Sequence, residues 1–102
     1  MANKEIIEIL KKYIRILRAE GIIVDKAYLY GSFLSNTASE ESDIDIMIVT
    51  YNEDDYLSGK IWSLTRKVNS KIEPYLVGKE RFKNSEDSPL IELVKRTGLK
   101  IA

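Results

Sequence analysis

The stretch YLYGSFLSNTASEESDIDIMIVT, Tyr28 to Thr50, decides the fold. It reads as an apolar strand, a Gly-Ser turn, a polar loop and a second apolar strand that opens with Asp43 and Asp45. Residues two apart on a strand share a face, so Asp43 and Asp45 point one way and Ile44, Ile46 and Ile48 the other. The run Asp43 to Val49 is almost continuously apolar after its first residues, as expected of a central strand covered on both faces. With its partner strand antiparallel, the Gly31-Ser32 turn sits beside the two aspartates.

Working outward, Ile6, Leu10, Tyr13, Ile14 and Leu17 fall on one stripe and predict a helix from Lys4 to Glu20, capped by Asn3 and ended by Gly21. Ile7, Ile9 and Ile16 widen the stripe; either a partner chain or the domain's own elements cover it. After an extended piece, Ile22 to Val24, a first strand spans Lys26 to Tyr30, followed by a helical turn between Ser32 and Asn36 and a polar loop, Thr37 to Ser42. Beyond the second strand, Asn52 caps a helix from about Glu53 to Lys67, with Leu57, Ile61, Leu64 and Val68 along one side. A third strand, Lys71 to Val77, contains Pro74, which places it at a sheet edge or a bulge. A short helix lies within Gly78 to Asp87, and Ser88 with Pro89 starts a last helix to Thr97, closed by Gly98. The tail, Leu99 to Ala102, adds a little strand. One domain of α+β class, 1–102, is expected, with a small mixed sheet of three to four strands in the order 1-2-3.

Composition narrows the chemistry. The 102 residues contain no cysteine and no histidine, so a general base must be a carboxylate, lysine or tyrosine and any metal site must be built from oxygen. Sixteen Lys plus Arg balance sixteen Asp plus Glu, which gives no global electrostatic case for gripping a nucleic-acid backbone. No apolar run is long enough to span a membrane, and without disulfides or a visible secretory segment a cytoplasmic location is expected.

The second helix is long enough to return the third strand parallel to the second, so Glu73 comes to lie beside Asp43 and Asp45. Because Ile72, Tyr75, Leu76 and Val77 read as core, a carboxylate among them is costly unless paired or metal-bound. Three adjacent acids raise one another's pKa values unless cations neutralise them. Such a constellation suits metal-assisted phosphoryl or nucleotidyl transfer, with two divalent ions clamping the attacking and leaving oxygens. Gly31 lets backbone N–H groups approach a phosphate, and Ser32 adds a hydroxyl and a helical N-terminus. Glu73 would bind metal or act as base. The plainer alternatives are a solvated Asp-x-Asp turn, Glu73 salt-bridged to Lys60 or Arg66, Glu40 and Glu41 as a solvated loop face, and Tyr28 and Tyr30 as packing residues, one of them bordering a nucleotide.

Gly31-Ser32, ten residues, Asp43-Ile44-Asp45-Ile46 and the later Glu73 resemble the nucleotidyltransferase superfamily that includes DNA polymerase beta and the aminoglycoside nucleotidyltransferases. Tyr28-Leu29-Tyr30, Ser42 and Pro89-Leu90-Ile91-Glu92 through Gly98 are similar to its minimal members, antitoxins encoded beside a HEPN-type toxin. The resemblance implies a palm-like nucleotidyltransferase fold, with Asp43, Asp45 and Glu73 as catalytic metal ligands and Gly31 and Ser32 as the nucleotide-binding turn. It further implies Mg²⁺ (two ions, with Mn²⁺ an alternative), ATP as substrate, and transfer of AMP to a hydroxyl, typically a tyrosine, of the HEPN toxin in a hetero-oligomer. The alternatives are a non-catalytic antitoxin that acts by covering its partner, and nucleotidyl transfer to a small molecule such as an aminoglycoside. Relatives commonly carry an arginine just after Gly-Ser and a glycine four residues after the serine; this chain has Phe33 or Ser35, and Asn36, with Lys60 or Lys79 available to supply the missing cation.

Overall fold

The structure is a computed structural model that describes residues 4–35, 38, 42–51 and 54–102, with the side chains of Ser35 and Asp55 left aside. In chain order the elements are α1 (Lys4–Ala19), β1 (Val24–Tyr30), α2 (Ser32–Ser35), β2 (Ile44–Thr50), α3 (Asp55–Val68), β3 (Ile72–Gly78), α4 (Lys79–Lys83), α5 (Pro89–Thr97) and β4 (Leu99–Lys100). They form a four-stranded mixed sheet, order β3-β2-β1-β4, in which β2 pairs antiparallel with β1 and parallel with β3. The expected α+β class, the 1-2-3 order and the crossover through α3 are therefore present.

Each face of the sheet carries its own core. Ala27, Leu29, Ile44, Ile46, Ile48 and Ile72 face α1 and α3, where they meet Leu10, Tyr13, Ile14, Leu17 and Ile61. On the opposite face Met47, Val49 and Val77 pack beneath Phe82 of α4 and Ile91 and Val94 of α5. Ile46, Met47, Ile48 and Val49 are fully buried, each side chain contributing about 1.5–3 kcal/mol of transfer free energy, so β2 is the spine of the domain. Tyr13 crosses the first core to bond Thr65 Oγ1 at 2.6 Å.

Three local differences from the sequence reading lie at element starts. β1 begins at Val24 rather than Lys26 because the ladder skips Asp25: Val24 pairs with Thr50 and Lys26 with Val49. This bulge lets Val24 and Ala27, three apart, both face the first core. α3 is capped by Asp54, whose carboxylate accepts from Leu57 N at 2.7 Å, rather than by Asn52. β2 starts at Ile44, leaving Asp43 just before the strand. Ile6, Ile7 and Ile9 pack half-buried against the first core, which accounts for much of the breadth of the α1 stripe. Pro74 does sit in an edge strand, and the tail does pair with β1, where Ile101 N donates to Ala27 O at 2.7 Å. Asn3, Asn36, Thr37, Glu40, Glu41 and Asn52 lie outside the described residues.

Candidate active site

The second sheet face is covered by α4 and α5 toward the ends of β2 and β3, whereas the starts of those strands carry the acids. Ladder register sets the site: Asp45 stands between Tyr30 of β1 and Glu73 of β3. Asp43, two residues before Asp45, lies at the mouth of the same strand, where Ile44 N donates to Lys71 O at 2.7 Å and ties the starts of β2 and β3 together. All three predicted carboxylates thus fall on adjacent strand starts.

Gly31 ends β1 with φ 82°, a left-handed conformation that L side chains rarely adopt. It has a second reason to be glycine. A Cβ at this position would overlap Asp45 Oδ2 and lie 3.1 Å from Asp45 Cγ, so the bare backbone makes the space the carboxylate occupies. Ser32 then opens α2, where Leu34 N donates to Gly31 O at 3.1 Å and turns the chain back. Phe33, one of the two places where the resemblance leads to an expected cation, packs with Leu34 against the first core.

Asp45 is half-buried, and its carboxyl is held above the ordinary carboxylate range, first by burial, then by the charge of Asp43, then by that of Glu73. Asp43 and Glu73 are exposed. The exposure of Glu73 corrects the expectation of a carboxylate enclosed by core residues: Ile72 and Pro74 face inward and are buried, but Glu73 projects from an edge strand onto uncovered sheet and keeps its water. Lys60 does not neutralise it, because its ammonium donates to the Glu20 carbonyl at 2.7 Å beside α1.

Two tyrosines the sequence left among packing residues also belong here. The Tyr30 hydroxyl is pushed up to about 12 by burial and by the nearby Asp45, Tyr75 and Glu73. It therefore stays protonated, a neutral hydrogen-bond donor beside the acids. Tyr75 accepts a hydrogen bond from Arg81 Nη2 at 3.0 Å, with the guanidinium 5.7 Å from its ring centre. All three of Tyr28, Tyr30 and Tyr75 pack against the second core, Tyr28 stacking on Phe82 at 5.7 Å. Lys79 cannot replace the missing loop cation: it follows the far end of β3, over the Tyr51 ring at 4.9 Å. Arg81 reaches back from α4 to Tyr75, two residues along β3 from Glu73. No residue spacing could have shown this, because the guanidinium is anchored by a residue on another element.

The oxygen-only donor set and the mutual repulsion that lifts Asp45 suit a hard divalent cation such as Mg²⁺ or Mn²⁺. Among the described residues no three acidic side chains already stand as a closed metal cage. Asp43 and Glu73, both exposed, are free to turn toward Asp45.

Comparison with known proteins places this geometry. The family model described as nucleotidyltransferase domain matches residues 10–100. A relative from Methanocaldococcus jannaschii, provisionally named a protein adenylyltransferase, is 42% identical over 53 residues, which is 52% of this chain and 53% of that protein. The match thus spans about half the length of that relative. A crystal structure provisionally titled a nucleotidyltransferase, from Sulfolobus solfataricus, shares the fold at a TM-score of 0.58 with 14% identity, covering 81% of this chain and 76% of the other.

Proposed function

Since the chain belongs to the nucleotidyltransferase domain family, we propose that it transfers AMP from ATP onto a hydroxyl of a partner protein, typically a tyrosine, and that the partner is a HEPN-type toxin silenced by the modification. The observation that carries the reading is Asp45, registered between Tyr30 and Glu73 and given its space by Gly31. The name of the Methanocaldococcus jannaschii relative, a protein adenylyltransferase, supports a protein acceptor.

In this reading the acceptor oxygen bonds to the α-phosphorus of ATP, pyrophosphate leaves with the electrons of the broken P–O bond, and the hydroxyl proton passes to a carboxylate. Glu73, exposed and solvated, takes that proton or joins the metal ligands. Asp43, Asp45 and Glu73 would hold Mg²⁺, which when bound neutralises triphosphate charge and polarises the reacting oxygens. Gly31 and Ser32 receive the triphosphate through the backbone N–H groups and the hydroxyl of the turn beside Asp45. Tyr30 walls the site with a hydroxyl that remains a donor at physiological pH.

The test is incubation of the protein with labelled ATP, Mg²⁺ and the product of the adjacent gene. Label on that product, lost in Asp43→Asn with Asp45→Asn, is expected. No label, with an active homologue working in the same assay, would sink the reading. The core-packed Phe33 in place of a loop cation favours a second reading, inhibition by binding alone. Full neutralisation of the partner in cells by the Asp43→Asn, Asp45→Asn variant would establish it.

A further inference from the structure

At the other end of the same sheet face, a cleft of about 500 Å³ is lined by Lys26, Lys79, Lys83 and Lys95, with Asp25, Glu80 and Phe82. The lysines come from three elements, β1, α4 and α5, and line one cleft, Lys26 half-buried and Lys79, Lys83 and Lys95 exposed. Lys26 and Lys95 stand 5.5 and 5.0 Å from the centre of the one Phe82 ring. Lys95 is pinned there, donating to Ser85 Oγ at 2.7 Å and to Lys83 O at 3.4 Å, and Ser85 itself is buried. Among the described residues, the contacts that hold Lys26, Lys79 and Lys95 are rings, a hydroxyl and a carbonyl, none of them a carboxylate. Four ammoniums against two carboxylates leave the cleft with a net positive charge, which an anion entering it meets.

We propose that this cleft docks an acidic segment of the protein acceptor, so that one sheet face grips the acceptor at its lysine end and modifies it at its acid end. The inference rests on the protein-acceptor reading above. Lys26 pairs with Val49, four residues along β2 from Asp45, which sets the two ends about 13 Å apart at a strand rise of ~3.3 Å per residue. That spacing suits an acceptor hydroxyl and an acidic patch on one folded surface. A polypeptide fits better than a nucleic acid because Asp25 and Glu80 interrupt the lysines and repel an unbroken row of phosphates, whereas discrete side-chain carboxylates can meet single ammoniums.

The probe is a fluorescein-labelled hexaglutamate peptide, followed by fluorescence anisotropy at low ionic strength, where exposed charges are least screened. Lys26→Gln with Lys83→Gln should weaken binding about fivefold, the scale of two exposed ion pairs lost. Lys60→Gln with Lys67→Gln, which removes the same charge from a different cleft, should leave it unchanged. Circular dichroism checks the fold of each variant, and amide shifts of the wild-type protein on titration should centre on Lys26, Phe82 and Lys95 whatever the variants do. Absence of binding, equal loss in both pairs, or shifts elsewhere overturns the proposal. So does an RNA oligonucleotide of equal charge that binds the same lysines more tightly, which would make this a nucleic-acid site. Binding needs neither nucleotide nor metal, so peptide capture together with no label on the partner protein refutes only the transferase reading. Transfer to the acceptor at an unaltered KM in the Lys26→Gln, Lys83→Gln variant refutes only the docking reading.

Discussion

Replacing Gly31 by alanine tests whether the turn exists to make room for the Asp45 carboxylate. Two costs are expected. A left-handed conformation costs an L residue roughly 1–2 kcal/mol. Forcing a methyl into occupied space adds about 1–3 kcal/mol, because the new Cβ would lie 3.1 Å from Asp45 Cγ and 3.3 Å from Asp45 Cβ, and the latter is fixed to the strand. Gly21 supplies the control: its φ of 88° carries the same conformational cost, but nothing lies within 4 Å of its would-be Cβ. Gly31→Ala should therefore lose about 2–5 kcal/mol and Gly21→Ala about 1–2 kcal/mol in urea unfolding at unchanged m-value. In an Asp45→Ala background the Oδ2 and Cγ contacts are gone, and the cost at Gly31 should fall toward that at Gly21. Equal losses at the two glycines, or a loss at Gly31 indifferent to Asp45, would refute the reasoning.

The remaining predictions concern protons and one buried hydrogen bond. Burial, Asp43 and Glu73 raise Asp45 above its ordinary value of 3.8, so the folded chain holds that proton more tightly than the unfolded one. The stability it contributes is present at low pH and is lost as pH rises from the ordinary carboxylate value through the raised one. Asp45→Asn should thus match or exceed wild-type stability at pH 7 in urea, and a clear loss would overturn the electrostatic account. Mg²⁺ should raise the thermal midpoint of the wild type but not that of Asp43→Asn with Asp45→Asn, as a ligand of the folded state does. Tyr30, raised from 10.0 to about 12, supplies stability present below pH 10 and lost toward pH 12. Tyr30→Phe should shallow the alkaline loss without abolishing it, since buried Tyr13 titrates in the same direction, and stability measured from pH 9 upward decides the point. Tyr13→Phe should cost about 1 kcal/mol by the same urea assay, no more, because Thr65 Oγ1 retains its bond to Ile61 O at 2.5 Å.

Sequence alone determined the frame. The alternation that sends Ile44, Ile46 and Ile48 to one core and Asp43 and Asp45 to the other face is a consequence of strand geometry. The length of the second helical segment fixed a parallel return, and with it the meeting of Glu73 and Asp45. Pro74 marked the edge strand because a proline cannot donate to a ladder. These features are local or follow from chain length, so they can be read without coordinates.

Tertiary structure decided what depends on neighbours far apart in the chain. Glu73 is solvated because the cover supplied by α4 and α5 stops short of the strand starts, and the residues beside it in sequence face the other way. Tyr30 joins the site, while Tyr28 packs beneath Phe82, although the two differ by one step of the pleat. Lys60 and Lys79 are carried to other surfaces and Arg81 is folded over Tyr75, since a long cationic side chain is placed by its anchor rather than by its number. The sequence set Gly31 beside the aspartates, but the contact of its bare backbone with Asp45 Oδ2 depends on how closely the two strand ends pack. The sequence nominated the candidate acids and the strand starts that hold them; the packing of those strands and helices set how they face one another, because contact and solvation belong to the assembled surface and not to any stretch of chain.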